Sequence, residues 1–214
     1  MSSIPTSSLL CVNDLACERD SRCLFSGVNF SIAAGDLWHL KGHNGSGKTT
    51  LLRLVAGLHP IDVGTISHPS THAKIIYLGH KLGLKEQLSA DENLAWLVGL
   101  ESSSTQQERY AALEKVGLKG YEENTIATLS AGQRRRVALA RLHLCKADIW
   151  LLDEPFTALD QQGVEDEESW LRQHTLSGGA VLMTSHQNLS IQPVKVLDLS
   201  HYTPAKTSCS SSAL

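Results

Sequence analysis

The sequence predicts an α/β protein: a mostly parallel sheet, with a helical segment inserted between its strands. Three observations predict it. A glycine-rich loop joins an apolar strand-like run at 36–41 to an apolar helix-like run at 49–57. Residues 91–146 then carry helical periodicity and few strand signals. Short apolar runs return at 149–152 and 180–184, on either side of another helical stretch. Strands that alternate with helices build a parallel sheet, so the helical block between them is an insertion.

Taken in order, 9–13 and 24–34 read as strands, the second ending in the turn Ala33-Ala34-Gly35. The strand at 36–41 feeds the glycine-rich loop. The helix at 49–57 stops at Gly57, a residue type that ends helices at low cost. Residues 74–78 are a strand, and 105–116 and 131–145 are the clearest helices of the inserted block. A helix near 159–175 separates the two returning strands, and a last strand lies near 194–199. The serine-rich stretch 203–214 reads as a disordered tail. The expected organisation is one domain over 1–202, with a helical subdomain inserted at about 85–147.

Composition narrows the function. Hydrophobic residues make up 42% and charged residues 19%, with a net charge of -3, so the basic balance of a nucleic-acid-binding domain is missing. The five cysteines, at 11, 17, 23, 145 and 209, are odd in number and dispersed, which excludes a disulfide framework. Cys11, Cys17 and Cys23 are evenly spaced and would share a face on one continuous strand. With no CxxC pair beside them, they read as small half-buried thiols. No apolar run approaches the roughly 20 residues of a membrane helix, and 1–10 lacks the features of a secretory leader. Any membrane role is therefore expected to come through a partner.

Two motifs carry chemistry. Gly42-His43-Asn44-Gly45-Ser46-Gly47-Lys48-Thr49 fits G-x-x-x-x-G-K-[ST] throughout, between a strand and a helix. Glycines let the backbone curl until its N–H groups converge on phosphate oxygens. The helix N-terminus that follows adds partial positive charge. Lys48 is placed to reach the β- and γ-phosphates, and the Thr49 hydroxyl to ligate Mg²⁺, with Thr50 next in the same helical turn. His43 fills an unconstrained position and contributes its backbone. The second motif is the apolar strand 149–152 ending in Asp153-Glu154. Asp153 is expected beside Thr49 on the metal, usually through water, and Glu154 as general base for the attacking water. The loop alone says only that a nucleotide binds, since kinases, GTPases and motor ATPases share it. With the acidic pair it predicts Mg²⁺-dependent nucleotide hydrolysis, and the resemblance below makes that nucleotide ATP.

Further motifs carry a family resemblance. Leu129-Ser130-Ala131-Gly132-Gln133 resembles the LSGGQ signature of ABC ATPases, with Ala131 in place of the first glycine. Pro155-Phe156-Thr157-Ala158-Leu159-Asp160 is similar to the family's D-loop, and His186 to its switch histidine. The order and spacing match over essentially the whole chain to about residue 200. The resemblance implies a P-loop NTPase core with an antiparallel β part at its N-terminal end. It implies a head-to-tail homodimer in which Ser130, Gly132 and Gln133 complete the ATP site of the opposite subunit. His186 would contact the γ-phosphate and orient the water and Glu154. Arg134, Arg135 and Arg136 are expected on a solvated or interfacial helix face, with no need of them in catalysis.

Two family positions are unusual. The aromatic residue that stacks on adenine falls near Arg19, whose guanidinium also stacks on bases. The glutamine that senses Mg²⁺ and the membrane partner falls on His80. Cys17-Glu18-Arg19-Asp20, Tyr77-Leu78-Gly79-His80, Leu88-Ser89-Ala90, Glu92-Asn93-Leu94 and the run 129–142 together resemble the haem-exporter branch that serves c-type cytochrome biogenesis. That branch implies an ATPase bound to the cytoplasmic side of the cell inner membrane through an integral (CcmB-like) subunit. The ATPase would drive haem export or release of a haem-loaded chaperone. The alternative within the family is the ATPase of another small-molecule or lipid transporter.

Overall fold

The computed structural model describes residues 8–69, 73–99, 103–187 and 190–202. The tail expected at 203–214 lies outside the described residues. In chain order, β1 (Ser8–Arg19), β2 (Arg22–Ala33), β3 (Leu37–Lys41), α1 (Lys48–Val55), β4 (Val63–Ser67) and β5 (Ile75–Leu78) come first. The helices α2 (Ala90–Gly99), α3 (Gln106–Lys115) and α4 (Ala131–Leu144) follow. Then come β6 (Ile149–Asp153), α5 (Gln161–Leu176), β7 (Ala180–Thr184) and β8 (Lys195–Asp198).

The strands form two sheets. One is antiparallel, in the order β2-β1-β4, and the other has five strands in the order β5-β6-β7-β3-β8. Every pair in the second sheet is parallel. The strands at its centre are apolar on both faces, as expected where both faces are covered. Ile149 and Leu151 of β6 join Leu51, Leu52, Leu54 and Val55 of α1 and the inner face of the antiparallel sheet. Trp150 and Leu152 turn the other way, into a second apolar cluster with α2, α3, α4 and Leu171 of α5. Truncating one such fully buried leucine to alanine costs about 2–5 kcal/mol.

The local starts and stops follow from side-chain chemistry. Each helix of the inserted block opens on a reciprocal cap, in which a side-chain oxygen takes the N–H three residues on and that residue's side chain returns the bond. The pairs are Ser89 with Glu92, Thr105 with Glu108, and Ser130 with Gln133. At the end of α1, Gly57 has φ 70, and the amides of Gly57 and Leu58 return to the carbonyls of Leu54 and Arg53. This closing motif satisfies the last carbonyls of the helix. A paired ion bridge ties the block together: Arg109 of α3 gives Nε and Nη2 to the two carboxylate oxygens of Asp91 on α2, at 2.7 and 2.9 Å.

Several expectations are corrected. The first strand runs to Arg19 rather than stopping at 13, because it pairs with β2 along nearly its whole length. Cys11, Cys17 and Cys23 therefore do not share one strand: the turn at Asp20-Ser21, with φ of 50 and 59, puts Cys23 on β2. Cys11 and Cys17 are buried and Cys23 is half-buried. Strand β4 was not expected. Its residues alternate between exposed and half-buried, and pairing Val12 with Ile66 and Asn13 with Thr65 makes it a strand.

Candidate functional site

All the parallel strands end on one edge, and the chemistry gathers there, as is general for open α/β sheets. The loop after β3 turns into α1 at Gly47, which caps the helix at φ 97. A side chain at this position would meet the Phe25 ring at 2.9 Å, so only glycine fits both the backbone and the space. The glycine cap has no side chain to accept the first amides, and the first turn of α1 holds no acidic residue. The helix therefore presents its N-terminal amides and partial positive charge to the loop. Lys48 Nζ lies over this loop, donating to the carbonyls of Gly42 at 2.8 Å and His43 at 3.3 Å.

The acidic strand end meets this loop across β7. Asp153 pairs with Thr184, and Thr184 pairs on its other side with Leu40, next to the start of the loop. Thr49 Oγ1 donates to Asp153 Oδ2 at 2.8 Å. Thr184 Oγ1 donates to Asp153 Oδ1 at 2.9 Å and accepts the Glu154 N–H at 2.8 Å. Glu154 adopts φ 53, a left-handed conformation that costs a non-glycine residue of order 1–3 kcal/mol. Its Oε2 accepts the His186 N–H at 3.3 Å, and its Oε1 lies 3.5 Å from His186 Nε2, too far for a hydrogen bond. His39 of β3, buried and with its pKa lowered by that burial, places one ring nitrogen 3.0 Å from the Ser185 carbonyl. As a neutral ring donating to that oxygen, it anchors the backbone just before His186.

One cavity of about 430 Å³ is lined by Asn44, Gly45, Gly47, Lys48, Thr49, Thr50, Asp153, Glu154 and His186, with Leu24 at its side. Gly42, His43 and Ser46 belong to the same loop without lining the cavity. The adjacent oxygens of Thr49 and Asp153 are hard donors of the kind Mg²⁺ takes while keeping most of its waters, so these residues fit that ion. A second cavity, about 490 Å³ between α3, the end of α4 and β5, contains none of these groups.

Other expected residues lie elsewhere. Ser130 and Gln133 cap their own helix α4: Ser130 Oγ accepts the Gln133 N–H at 3.2 Å, and Gln133 Oε1 accepts the Ser130 N–H at 2.9 Å. Gly132 packs so closely that a Cβ there would stand 2.8 Å from the Ala158 carbonyl. His80 is exposed two residues past β5 and does not line the cavity. Arg19 is half-buried at the end of β1, and Leu24 holds the cavity wall on that side.

The arginine run departs most from expectation. Arg134 and Arg136 keep part of their side chains in water, bonded to Leu129 O and to Asp160. Arg135 is buried, at 4% exposed, because its place on α4 faces the sheet edge. Its guanidinium satisfies the carbonyls of Pro155 and Glu154 at 2.8 and 2.7 Å. Sequence reasoning missed Arg135, Thr184 and His39. Thr184 had one signal, its place directly before Ser185-His186, but only strand order brings it beside Asp153.

Comparison with known proteins gives the chain its family. Residues 25–157 match the ABC transporter family. A Saccharophagus degradans protein named cytochrome c biogenesis ATP-binding export protein CcmA is 46% identical over 211 residues, covering 91% of this chain and 95% of its own. A Pseudomonas putida protein of the same name is 47% identical, over 84% of this chain and 90% of its own. Among solved structures, a Pyrococcus furiosus chain described as an ABC transporter ATP-binding protein superposes with a TM-score of 0.79 at 26% identity, covering 91% of this chain and 98% of that one. The dimeric ATP-binding cassette MJ0796, bound to ADP and Pi, superposes at 0.73 with 20% identity, over 83% and 88% of the two chains, and shares the fold. A family match of this extent, joined to relatives this close, settles the assignment: the chain belongs to the ABC transporter family, as a nucleotide-binding subunit that hydrolyses ATP.

Proposed function

We propose that this chain powers an export complex of c-type cytochrome biogenesis, moving haem or releasing a haem-loaded chaperone. The observation that carries the reading is the convergence of Lys48, Thr49, Asp153, Glu154 and His186 on one cavity, in a chain whose relatives are named CcmA. That name favours this role over a lipid or drug cassette. The complex would pair two copies head to tail and dock them through an integral, CcmB-like subunit on the cytoplasmic face of the inner membrane. No helix among the described residues is long and apolar enough to cross a membrane. The helical region near 85–100, with His80 before it, would carry motion to that partner.

The chemistry follows from the residues. The loop amides, the N-terminus of α1 and Lys48 bind the β- and γ-phosphates. Thr49 and Asp153 would hold Mg²⁺, which supplies charge neutralisation on the phosphates when bound. Ser130, Gly132 and Gln133 would close the site of the opposite copy with the N-terminal end of α4. Glu154 takes the proton of the attacking water as a P–O bond forms to the γ-phosphorus. The bond to the β–γ bridging oxygen breaks in line, and ADP leaves with that oxygen. His186, beside Glu154, orients water and carboxylate. The test is ATP hydrolysis by the full chain purified with its membrane partner. Glu154→Gln is expected to lower kcat about 10²–10⁴-fold, and Lys48→Ala to abolish turnover. A complex without hydrolysis that these changes remove would refute the reading. Stimulation by c-type cytochrome maturation subunits, and not by unrelated membrane partners, is the expected sign of the haem role.

A further inference from the structure

We propose that Arg135 is a positioning residue for hydrolysis: from the signature helix, it holds the backbone of Glu154 in the conformation that aims this carboxylate at the phosphate cavity. The inference rests on Glu154 being the general base, as proposed above.

Glu154 is the point of strain in the site, with φ 53. A left-handed non-glycine residue persists only where its surroundings hold it there. Two groups do so. On one side, Thr184 Oγ1 takes the Glu154 N–H at 2.8 Å. On the other, Arg135 Nη2 donates to the Glu154 carbonyl at 2.7 Å while its Nε donates to the Pro155 carbonyl at 2.8 Å. Longer contacts of 3.4 Å run from Nη2 to the Asp153 carbonyl and from Nη1 to the Gly79 carbonyl, next to His80. A planar guanidinium carries five donors on a rigid fork and so serves several spread, fixed acceptors, which a compact ammonium on a flexible stem matches less well.

The position of Arg135 on the chain gives the contact its consequence. It stands five residues after Ser130 on α4, the helix whose first turn would meet the ATP of the opposite copy. The next residue of that helix, Arg136, binds Asp160 at 2.7 Å, at the far end of the same loop. Any shift of α4 on closing is therefore felt directly by the backbone of Glu154. The signature helix would thereby both complete one ATP site and ready the base of the other. Near enough to Arg135 to feel its charge lies the buried Glu167 of α5, and burial holds its carboxyl protonated towards neutral pH.

The experiment measures steady-state ATP hydrolysis and nucleotide affinity of the full chain with its membrane partner. Arg135→Gln is expected to lower kcat about 10- to 100-fold while the ATP dissociation constant stays within about twofold. Arg135→Lys is expected to recover part of the loss. Because Arg135 is packed beside the buried carboxyl of Glu167, whose oxygens have no hydrogen-bond partner, the same measurements are made on the double variant Arg135→Gln/Glu167→Gln, with Glu167→Gln alone expected to keep the parent kcat. A folded double variant with the parent kcat overturns the proposal. So does a loss shared equally by nucleotide affinity and cooperative unfolding, or failure of both variants to fold, since each describes a structural residue. If Glu154→Gln itself leaves turnover intact, it is the assignment of the base that fails, and the two outcomes are told apart.

Discussion

Replacing Glu167 with glutamine tests the interior behind the site. Glu167 is fully buried on α5, and among the described residues neither of its carboxylate oxygens has a hydrogen-bond partner. Burial pushes its pKa from 4.5 up to about 8, while the positive charge of Arg135 pulls the other way. Between those values the folded protein holds a proton that the unfolded chain has released. The sign follows: stability linked to this group is complete below pH 4.5 and is lost as the pH rises towards 8. One proton corresponds to about 1.4 kcal/mol per pH unit, so the loss approaches about 5 kcal/mol across the window. Glutamine keeps the shape and a neutral polar head but does not titrate. Glu167→Gln is expected to match the parent near pH 5 and to exceed it by about 3 kcal/mol near pH 7.5. Urea unfolding followed by tryptophan fluorescence across that range reads the difference directly. A stability difference that does not change with pH would refute the reasoning, because it would mean that the carboxylate is ionised, and compensated, in the folded state.

Other substitutions test separate contacts. Asp91→Ala leaves Arg109 without its two-bond partner between α2 and α3 and is expected to cost about 3 kcal/mol, read as a lowered Tm. Gly64→Val places a Cβ 2.6 Å from the backbone of Asp14 and Leu15 at φ 93, and is expected to cost more than about 2 kcal/mol in chemical unfolding by forcing β4 off β1. Ser130→Ala removes the cap of α4 and is expected to cost about 1 kcal/mol of stability. Its loss of ATP hydrolysis should be far larger than that stability change explains. A loss no larger would reduce Ser130 to a helix cap.

Much of the molecule is local and was legible for that reason. Lys48 and Thr49 must follow a glycine loop between strand and helix, and Asp153 and Glu154 must end an apolar strand, so neighbouring residues alone announce them. The caps at Ser89, Thr105 and Ser130 are equally local, each a hydroxyl followed three residues later by Glu or Gln. Strand β4 was not legible, because its alternation is weak and β1 alone makes it a strand. The sequence by itself therefore determined the phosphate loop, the acidic strand end and the signature, since each is a short run whose chemistry is carried by adjacent residues. Only the tertiary structure decided that Thr184 bridges Asp153 and Glu154, that His39 anchors the backbone before His186, and that Arg135 turns inward while Arg134 and Arg136 keep to the surface. Those three roles depend on which strands lie side by side and which way α4 faces, and the burial of distant apolar residues sets both.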